Sequence, residues 1–115
     1  MSSAVPSGMA ELRSVYMTFP DLDTAMSIAK HLVDEHLVAC VNVVPRCVSV
    51  YRWEGQVRNE EEVVAFAKTT AERFDAVAAR VNELHPFDVP CVVALDVAAG
   101  LPAYEKWVAQ ETAEG

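Results

Sequence analysis

The sequence has few of the features that mark enzymes, nucleic-acid-binding proteins and membrane proteins. Only 4 of its 115 residues are glycine, so no glycine-rich phosphate-binding loop is available. Its 9 lysines and arginines are outnumbered by 17 aspartates and glutamates, and the net charge of −8 argues against nucleic acid as a partner. No apolar run approaches the ~20 residues of a membrane-spanning helix, so membrane insertion is not expected.

Cysteine is also scarce, and the three cysteines form no Cys-x-x-Cys pair. Their odd number and the absence of a signal-peptide pattern favour free thiols and a cytoplasmic protein. Residues 1–11 are mostly small residues and proline, which predicts a flexible N-terminal tail. Residues 12–112 are then expected to form one domain, because domains commonly contain about 100–150 residues.

The first part of the chain predicts a strand followed by a helix. Leu12–Phe19 alternates apolar and polar residues, which is typical of a half-buried strand. Asp21 or Asp23 can cap the helix that follows. This helix has an apolar stripe at helical spacing and is predicted to run to about Leu37.

The middle of the chain predicts a long β-hairpin. Ala39–Val44 is extended, and Pro45 predicts a bulge or bend because proline cannot donate to a sheet ladder. Cys47–Trp53 is the first arm, Glu54–Gly55 is the turn, and Val63–Ala67 lies in the second arm. A hairpin this long extends beyond so small a domain, and another copy of the chain is the simplest partner for its aromatic residues.

The last part predicts a helix, a strand and a final short helix. Thr69 and Glu72 match a capping box, and His85-Pro86 is expected to end the helix that this box begins. Cys91–Ala98 is nearly all apolar, which predicts a strand buried on both faces. Pro102 suits the first turn of the C-terminal helix.

The predicted fold class is α+β, with the element order β-α-β-β-α-β-α. The first six elements correspond to the ferredoxin-like βαββαβ arrangement, an antiparallel sheet with helices on one face. The last helix is an addition to that arrangement. The other face of the sheet is expected to be open, and self-association would cover its apolar residues.

The chain resembles the CutA family of divalent-ion tolerance proteins. Five motifs carry the resemblance, in order and at compatible spacing: Thr18-Phe19-Pro20-Asp21, Leu37-Val38-Ala39-Cys40-Val41-Asn42, Ser49-Val50-Tyr51-Arg52-Trp53-Glu54-Gly55, Glu62 with Lys68-Thr69, and His85-Pro86-Phe87-Asp88-Val89-Pro90. The resemblance implies a homotrimer with hairpins that reach neighbouring subunits. It also implies a role in divalent-metal tolerance with copper or another divalent cation as the ligand, no obligatory cofactor and no established catalytic activity.

His85, Cys91 and Met17 are the candidate metal ligands. In the resembling family the His of the His-Pro-aromatic motif is a proposed copper ligand, and a neutral imidazole suits copper. Cys91 stands where many members have Glu, and Met17 stands where some have Cys. The set is therefore soft and better suited to Cu(I) than to magnesium or calcium. The alternative is structural, with His85 at the negative end of a helix dipole and the two sulfur residues packed in strands.

Tyr51, Trp53, Glu62 and Lys68 are a second group of candidate site residues. Glu62 and Lys68 are separated by an even number of strand positions, which places them on one face. With the two aromatic residues they would line a cleft between subunits and contact a small anionic ligand. The alternative is an ion pair between subunits, together with aromatic packing. The cleft hypothesis rests on analogy with other trimeric ferredoxin-like proteins.

Three functions remain open at this point. The chain would be a trimer that binds copper or another divalent cation, a trimeric sensor of a small ligand, or a scaffold that acts through a protein partner. The family resemblance favours the first. An enzyme is not expected, because no nucleophile with an orienting acid and an oxyanion hole can be identified.

Overall fold

The computed structural model describes residues 11–113, so all but the last residue of the predicted N-terminal tail lies outside the described part. The predicted order of elements is confirmed, with these bounds: β1 (Leu12–Phe19), α1 (Leu22–Asp34), β2 (Cys40–Trp53), β3 (Gln56–Thr70), α2 (Phe74–Leu84), β4 (Val92–Asp96) and α3 (Pro102–Glu111). None of the helices within residues 11–113 has the length and apolar character that crossing a membrane requires.

The four strands form one antiparallel sheet in the order β2-β3-β1-β4. With α1 and α2 as the two connections, this is the predicted ferredoxin-like arrangement. Both helices pack on the same face of the sheet. The core between them contains apolar residues of the strands and of both helices, among them Val15, Met17, Phe19, Ile28, Leu32, Val77 and Val81.

Helix α1 begins as predicted but ends earlier than predicted. The Asp21 side chain accepts a hydrogen bond from the backbone N–H of Thr24 at 2.8 Å and so caps the helix. The helix stops at Asp34, before the predicted end at Leu37, because His36 adopts a left-handed conformation with φ of 59°. The ring nitrogen Nδ1 of His36 lies 3.0 Å from the carbonyl oxygen of Glu111, and this contact links the segment after α1 to the end of α3.

The predicted capping box at the start of the second helix is wrong. Thr69 and Thr70 are the last residues of β3, and a short 3-10 turn at Ala71–Arg73 precedes α2. The Thr69 hydroxyl donates to the carbonyl oxygen of Leu37 at 2.7 Å, and the residue is fully buried. A tertiary contact has therefore taken the side chain that the local pattern assigned to the helix.

Thr69→Val is expected to lower the free energy of unfolding by about 1–2 kcal/mol, because it keeps the side-chain shape and leaves the buried Leu37 carbonyl without its donor. Urea denaturation at fixed protein concentration measures the change. Thr70→Val is the matched control, since Thr70 makes no side-chain cap hydrogen bond. Equal losses in the two variants would contradict the assigned hydrogen bond.

The β2–β3 hairpin is longer than the rest of the sheet. Its turn consists of Glu54 (φ 51°) and Gly55 (φ 80°), and positive φ at both central residues is the requirement of a type I′ turn. A register shift between Val44 and Cys47 confirms the irregularity predicted at Pro45. Because β3 pairs with β1 only over residues 63–70, residues 47–62 project beyond the sheet, and we call them the hairpin overhang.

The second face of the sheet is open, as predicted. The side chains on this open face include Tyr16, Val44, Phe66, Lys68, Val93 and Leu95. Helix α3 covers only one end of it, through contacts of Val108 with Leu12, Ala39 and Val97. The predicted burial of β4 on both faces is therefore wrong for the single chain, where Val93 and Leu95 are 47% and 45% exposed.

Candidate functional site

His85 lies directly after α2 and is almost completely buried. Its ring stacks on Phe19, with ring centroids 5.2 Å apart, and contacts Phe87 at 4.8 Å. Nε2 lies 2.8 Å from the carbonyl oxygen of Thr18, and Nδ1 lies 3.1 Å from the backbone nitrogen of Phe87. Both nitrogens of this predicted metal ligand therefore take part in hydrogen bonds within the chain.

Met17 and Cys91 lie on opposite sides of the sheet. Met17 is fully buried in the core beneath the helices. It pairs in register with Val92, so the next residue toward the N-terminus, Cys91, lies on the side of the open face. The described structure therefore separates the two predicted sulfur ligands by the thickness of the sheet.

Cys91 lies next to Thr18. Partial burial raises the pKa of the Cys91 thiol, a hydrogen bond with the Thr18 side chain works in the opposite direction, and the Glu62 carboxylate adds to the increase. The thiol is consequently protonated more readily than an exposed one. Thr18 thus contacts two of the predicted ligands, Cys91 through its side chain and His85 through its carbonyl oxygen.

A second thiol shares this side of the sheet. Cys47 pairs in register with Glu62 because of the bulge that precedes it. Burial raises the pKa of Tyr16, and the nearby Cys47, Cys91 and Glu62 on the same side of the sheet add to that increase. No sequence motif indicates that Cys47 and Cys91 both lie near Tyr16, because this proximity depends on the register across the four strands.

His85, Cys91 and Met17 do not fit a single metal site within one folded chain. The imidazole lacks a free nitrogen, and the thioether and the thiol lie on opposite sides of the sheet. Within residues 11–113, moreover, no three His, Cys, Asp or Glu side chains are grouped so that they could hold a metal ion. The metal site stays a prediction.

The four predicted cleft residues occupy both ends of the hairpin. Near the base, the Lys68 ammonium donates to the side-chain oxygen of Asn42 at 2.8 Å. In the overhang, the Tyr51 hydroxyl donates to Glu60, and this hydrogen bond raises the pKa of Tyr51. Trp53, at the tip, is 47% exposed.

These positions are too far apart to form one cleft in a single chain. Trp53 pairs with Gln56, and Gln56 is ~40 Å from Lys68 along β3 at about 3.3–3.4 Å per strand residue. Glu62 lies midway between them. Residues from the two ends can meet only across two copies of the chain, and the cleft also stays a prediction.

A further polar contact joins α3 to the edge of the sheet. The Cys40 thiol lies 3.4 Å from the Tyr104 hydroxyl. Burial, together with this neighbouring thiol, raises the pKa of Tyr104 to about 12. The phenol therefore stays protonated at neutral pH and remains available as a hydrogen-bond donor.

Known proteins share both the sequence and the fold. The family described as CutA1 divalent ion tolerance protein matches residues 13–111. The divalent-cation tolerance protein CutA of Thermus thermophilus is 44% identical over 98 residues, which are 85% of this chain and 95% of the relative.

Two solved structures have the same fold over nearly the whole chain. CutA1 from Oryza sativa superimposes with a TM-score of 0.89 at 36% identity, covering 92% of this chain and 97% of that one. The Archaeoglobus fulgidus protein, described as a periplasmic divalent cation tolerance protein CutA, superimposes with a TM-score of 0.86 at 31% identity, covering 89% and 99%. This chain therefore belongs to the CutA1 family of divalent-ion tolerance proteins.

Proposed function

We propose that this chain acts as a homotrimer in the response to divalent cations, with copper as the cation. The names of the relatives support the role in cation tolerance. The structural observation that supports self-association most directly is the open face of the sheet. Val44, Val93 and Leu95 are each 44–47% exposed there, in a chain that otherwise buries a continuous core.

The hairpin overhang adds a second apolar surface. Val48, Val50 and Val57 are between 64% and 70% exposed, and the register places them on the helix-bearing side of the sheet, opposite to Cys47 and Glu62 and beyond the part that the helices cover. Contiguous apolar surface of this kind is typical of an interface. Partners that pack on the open face and on the opposite side of the overhang would bury both surfaces, and the family resemblance supports three as the number of copies.

Sedimentation equilibrium of the full chain tests the assembly. The expected mass is three times the chain mass of 12.6 kDa, and it should persist on dilution. A monomer at micromolar concentration would contradict the proposal. This outcome concerns the assembly alone and leaves the question of copper to a separate experiment.

The copper part of the proposal rests on Cys91. Among the predicted ligands, His85 would have to give up one of two hydrogen bonds and Met17 would have to leave the core. Cys91 is a free, half-buried thiol that needs neither change. A thiol is a soft ligand, and soft ligands favour Cu(I).

Cys91→Ser is expected to abolish tight Cu(I) uptake, because a hydroxyl is a much poorer ligand than a thiolate for a soft ion. A titration under reducing conditions against a colorimetric Cu(I) chelator measures the number and affinity of the bound ions. Cys47→Ser is the matched control, because Cys47 is also a half-buried thiol beside Tyr16. Unchanged uptake by Cys91→Ser, or loss in the control alone, would contradict the assignment.

The predicted ligand cleft belongs to the same proposed assembly. Tyr51 and Trp53 in the overhang of one copy would lie near Lys68 of another, with Glu62 between them along the hairpin. A small anion bound there would raise the melting temperature of the wild-type protein and not that of Lys68→Ala. Equal shifts in both proteins would count against the cleft.

The proposed location is the cytoplasm. Cys40, Cys47 and Cys91 are all free thiols, and free thiols persist in reducing compartments. The Archaeoglobus fulgidus relative is described as periplasmic, so the location needs its own test. Fractionation of cells that express the chain, with detection of the protein in the soluble cytoplasmic fraction, is the expected result.

A further inference from the structure

We infer that His85 is a positioning residue in this chain and not a metal ligand. Its neutral imidazole joins the end of β1 to the segment that leads to Cys91, and it holds Thr18 against the Cys91 thiol. This inference goes beyond the proposed function and does not depend on whether copper binds. It follows from the two hydrogen bonds of the ring and from the position of Thr18.

The hydrogen bonds define the protonation state of the ring. The backbone nitrogen of Phe87 can only donate, so Nδ1 of His85 must accept with its lone pair. The carbonyl oxygen of Thr18 can only accept, so Nε2 must carry the hydrogen. The ring is therefore the neutral tautomer protonated at Nε2, and neither nitrogen has a lone pair free for a metal ion.

The surroundings keep the ring in this orientation. His85 is 7% exposed and lies against the rings of Phe19 and Phe87. A metal ion at Nδ1 would have to displace the Phe87 amide, which would then be left without a partner beside the ring. An ion at Nε2 would have to displace the Thr18 carbonyl oxygen, which would then lose its buried donor.

Thr18 is the link between His85 and Cys91. The ladder between β1 and β4 ends at the pair Met17–Val92, so the ladder does not hold Thr18 on its β4 side. The Nε2–H group of His85 supplies the next contact, to the Thr18 carbonyl oxygen. One position beyond the pair Met17–Val92, Thr18 lies opposite Cys91, and its side chain is close enough to lower the pKa of the Cys91 thiol. Loss of the imidazole would remove the contact that holds Thr18 on its β4 side, although its pairing with Val64 of β3 would remain, and would expose the thiol.

The rate of thiol alkylation tests the positioning role. His85→Ala is expected to raise the alkylation rate at Cys91 about tenfold. The reason is that a loss of ~1.4 kcal/mol from the free energy that keeps this segment folded over the thiol raises the fraction of molecules with an exposed thiol tenfold. Iodoacetamide with residue-resolved mass spectrometry reports each cysteine separately. Cys47 is the internal control, because it is also half-buried near Tyr16 but its thiol forms its hydrogen bond with Ser49.

His85→Gln is the second variant, which keeps an amide donor for the Thr18 carbonyl oxygen and should return the Cys91 rate toward that of the wild type. A general loosening of the fold would accelerate the alkylation of Cys47 as much as that of Cys91. Equal acceleration, an unchanged Cys91 rate, or no rescue by His85→Gln would each overturn the positioning role. If His85→Ala does not fold, His85→Gln is compared with the wild type. A small increase in the alkylation rate at Cys91, with no increase at Cys47, would then support the positioning role.

Nitrogen NMR of the wild-type protein tests the claim that the ring is closed to metals. With ¹⁵N-labelled histidine, His85 should show the pattern of a neutral ring protonated at Nε2. One equivalent of Ag⁺, a diamagnetic soft cation, should leave both ring nitrogens unchanged. A shift of either nitrogen on addition of Ag⁺, or a different tautomer, would overturn the inference.

Discussion

Leu95→Glu is expected to convert the proposed trimer into monomers, whereas Leu22→Glu should leave it intact. Both leucines are 45% exposed in the single chain, so the two substitutions are matched in residue type and exposure. Leu95 lies on the open face, in register with Ser14. A carboxylate there would lose its water in the interface without gaining a partner, a cost of several kcal/mol per copy.

Leu22 offers the opposite environment. It is the first residue of α1, where a negative charge is favourable because of the exposed N–H groups and the helix dipole. Leu22→Glu should therefore keep the wild-type mass and stability. Sedimentation velocity at several concentrations, with circular dichroism as a check on folding, measures both variants. Dissociation in both, or in neither, would place the interface elsewhere than on the open face.

Phe19→Ala is expected to destabilise the fold more than the other substitutions proposed for the core. Phe19 is 1% exposed and lies between the sheet and the helices, where it also stacks on His85. Truncation of a buried phenylalanine costs about 3–5 kcal/mol through lost transfer energy and the cavity that remains. Because native domains are stable by only about 5–15 kcal/mol, this loss is a large fraction of the total.

Phe87→Ala separates this core effect from the loss of contact with His85. Phe87 also contacts the imidazole, at 4.8 Å, but it is 40% exposed and should cost much less. Chemical denaturation at one fixed protein concentration is required, because the stability of an oligomer depends on concentration. Similar losses in the two variants would show that the contact with His85, and not burial in the core, accounts for the effect.

Local patterns predicted the parts of the fold that depend on neighbours in sequence. The alternation in Leu12–Phe19 identified β1, Asp21 was one of two predicted caps, and Glu54–Gly55 was identified as the turn. The capping box at Thr69 failed for the opposite reason. Its hydroxyl has a competing acceptor, the carbonyl oxygen of Leu37, which is remote in sequence and close only in the folded chain.

The candidate site shows the same division. The motif around His85 and the residue types of Cys91 and Met17 could be read as soft metal ligands from the sequence alone. The structure places Met17 in the core and Cys91 on the other side of the sheet, because neighbouring strand positions alternate between faces. Sequence spacing could not assign the faces, since the register of β4 against β1 comes from tertiary pairing.

The sequence by itself determined the element order, the long hairpin with its turn, and the resemblance to the family, because these depend on local periodicity and on short motifs. Only the tertiary structure decided that both nitrogens of His85 are hydrogen-bonded, that Cys47 and Cys91 both lie near Tyr16, and that an apolar sheet face is open. The physical reason is that hydrogen bonds such as that from His85 to Thr18, which join residues 67 positions apart, form only when the strands and helices have packed.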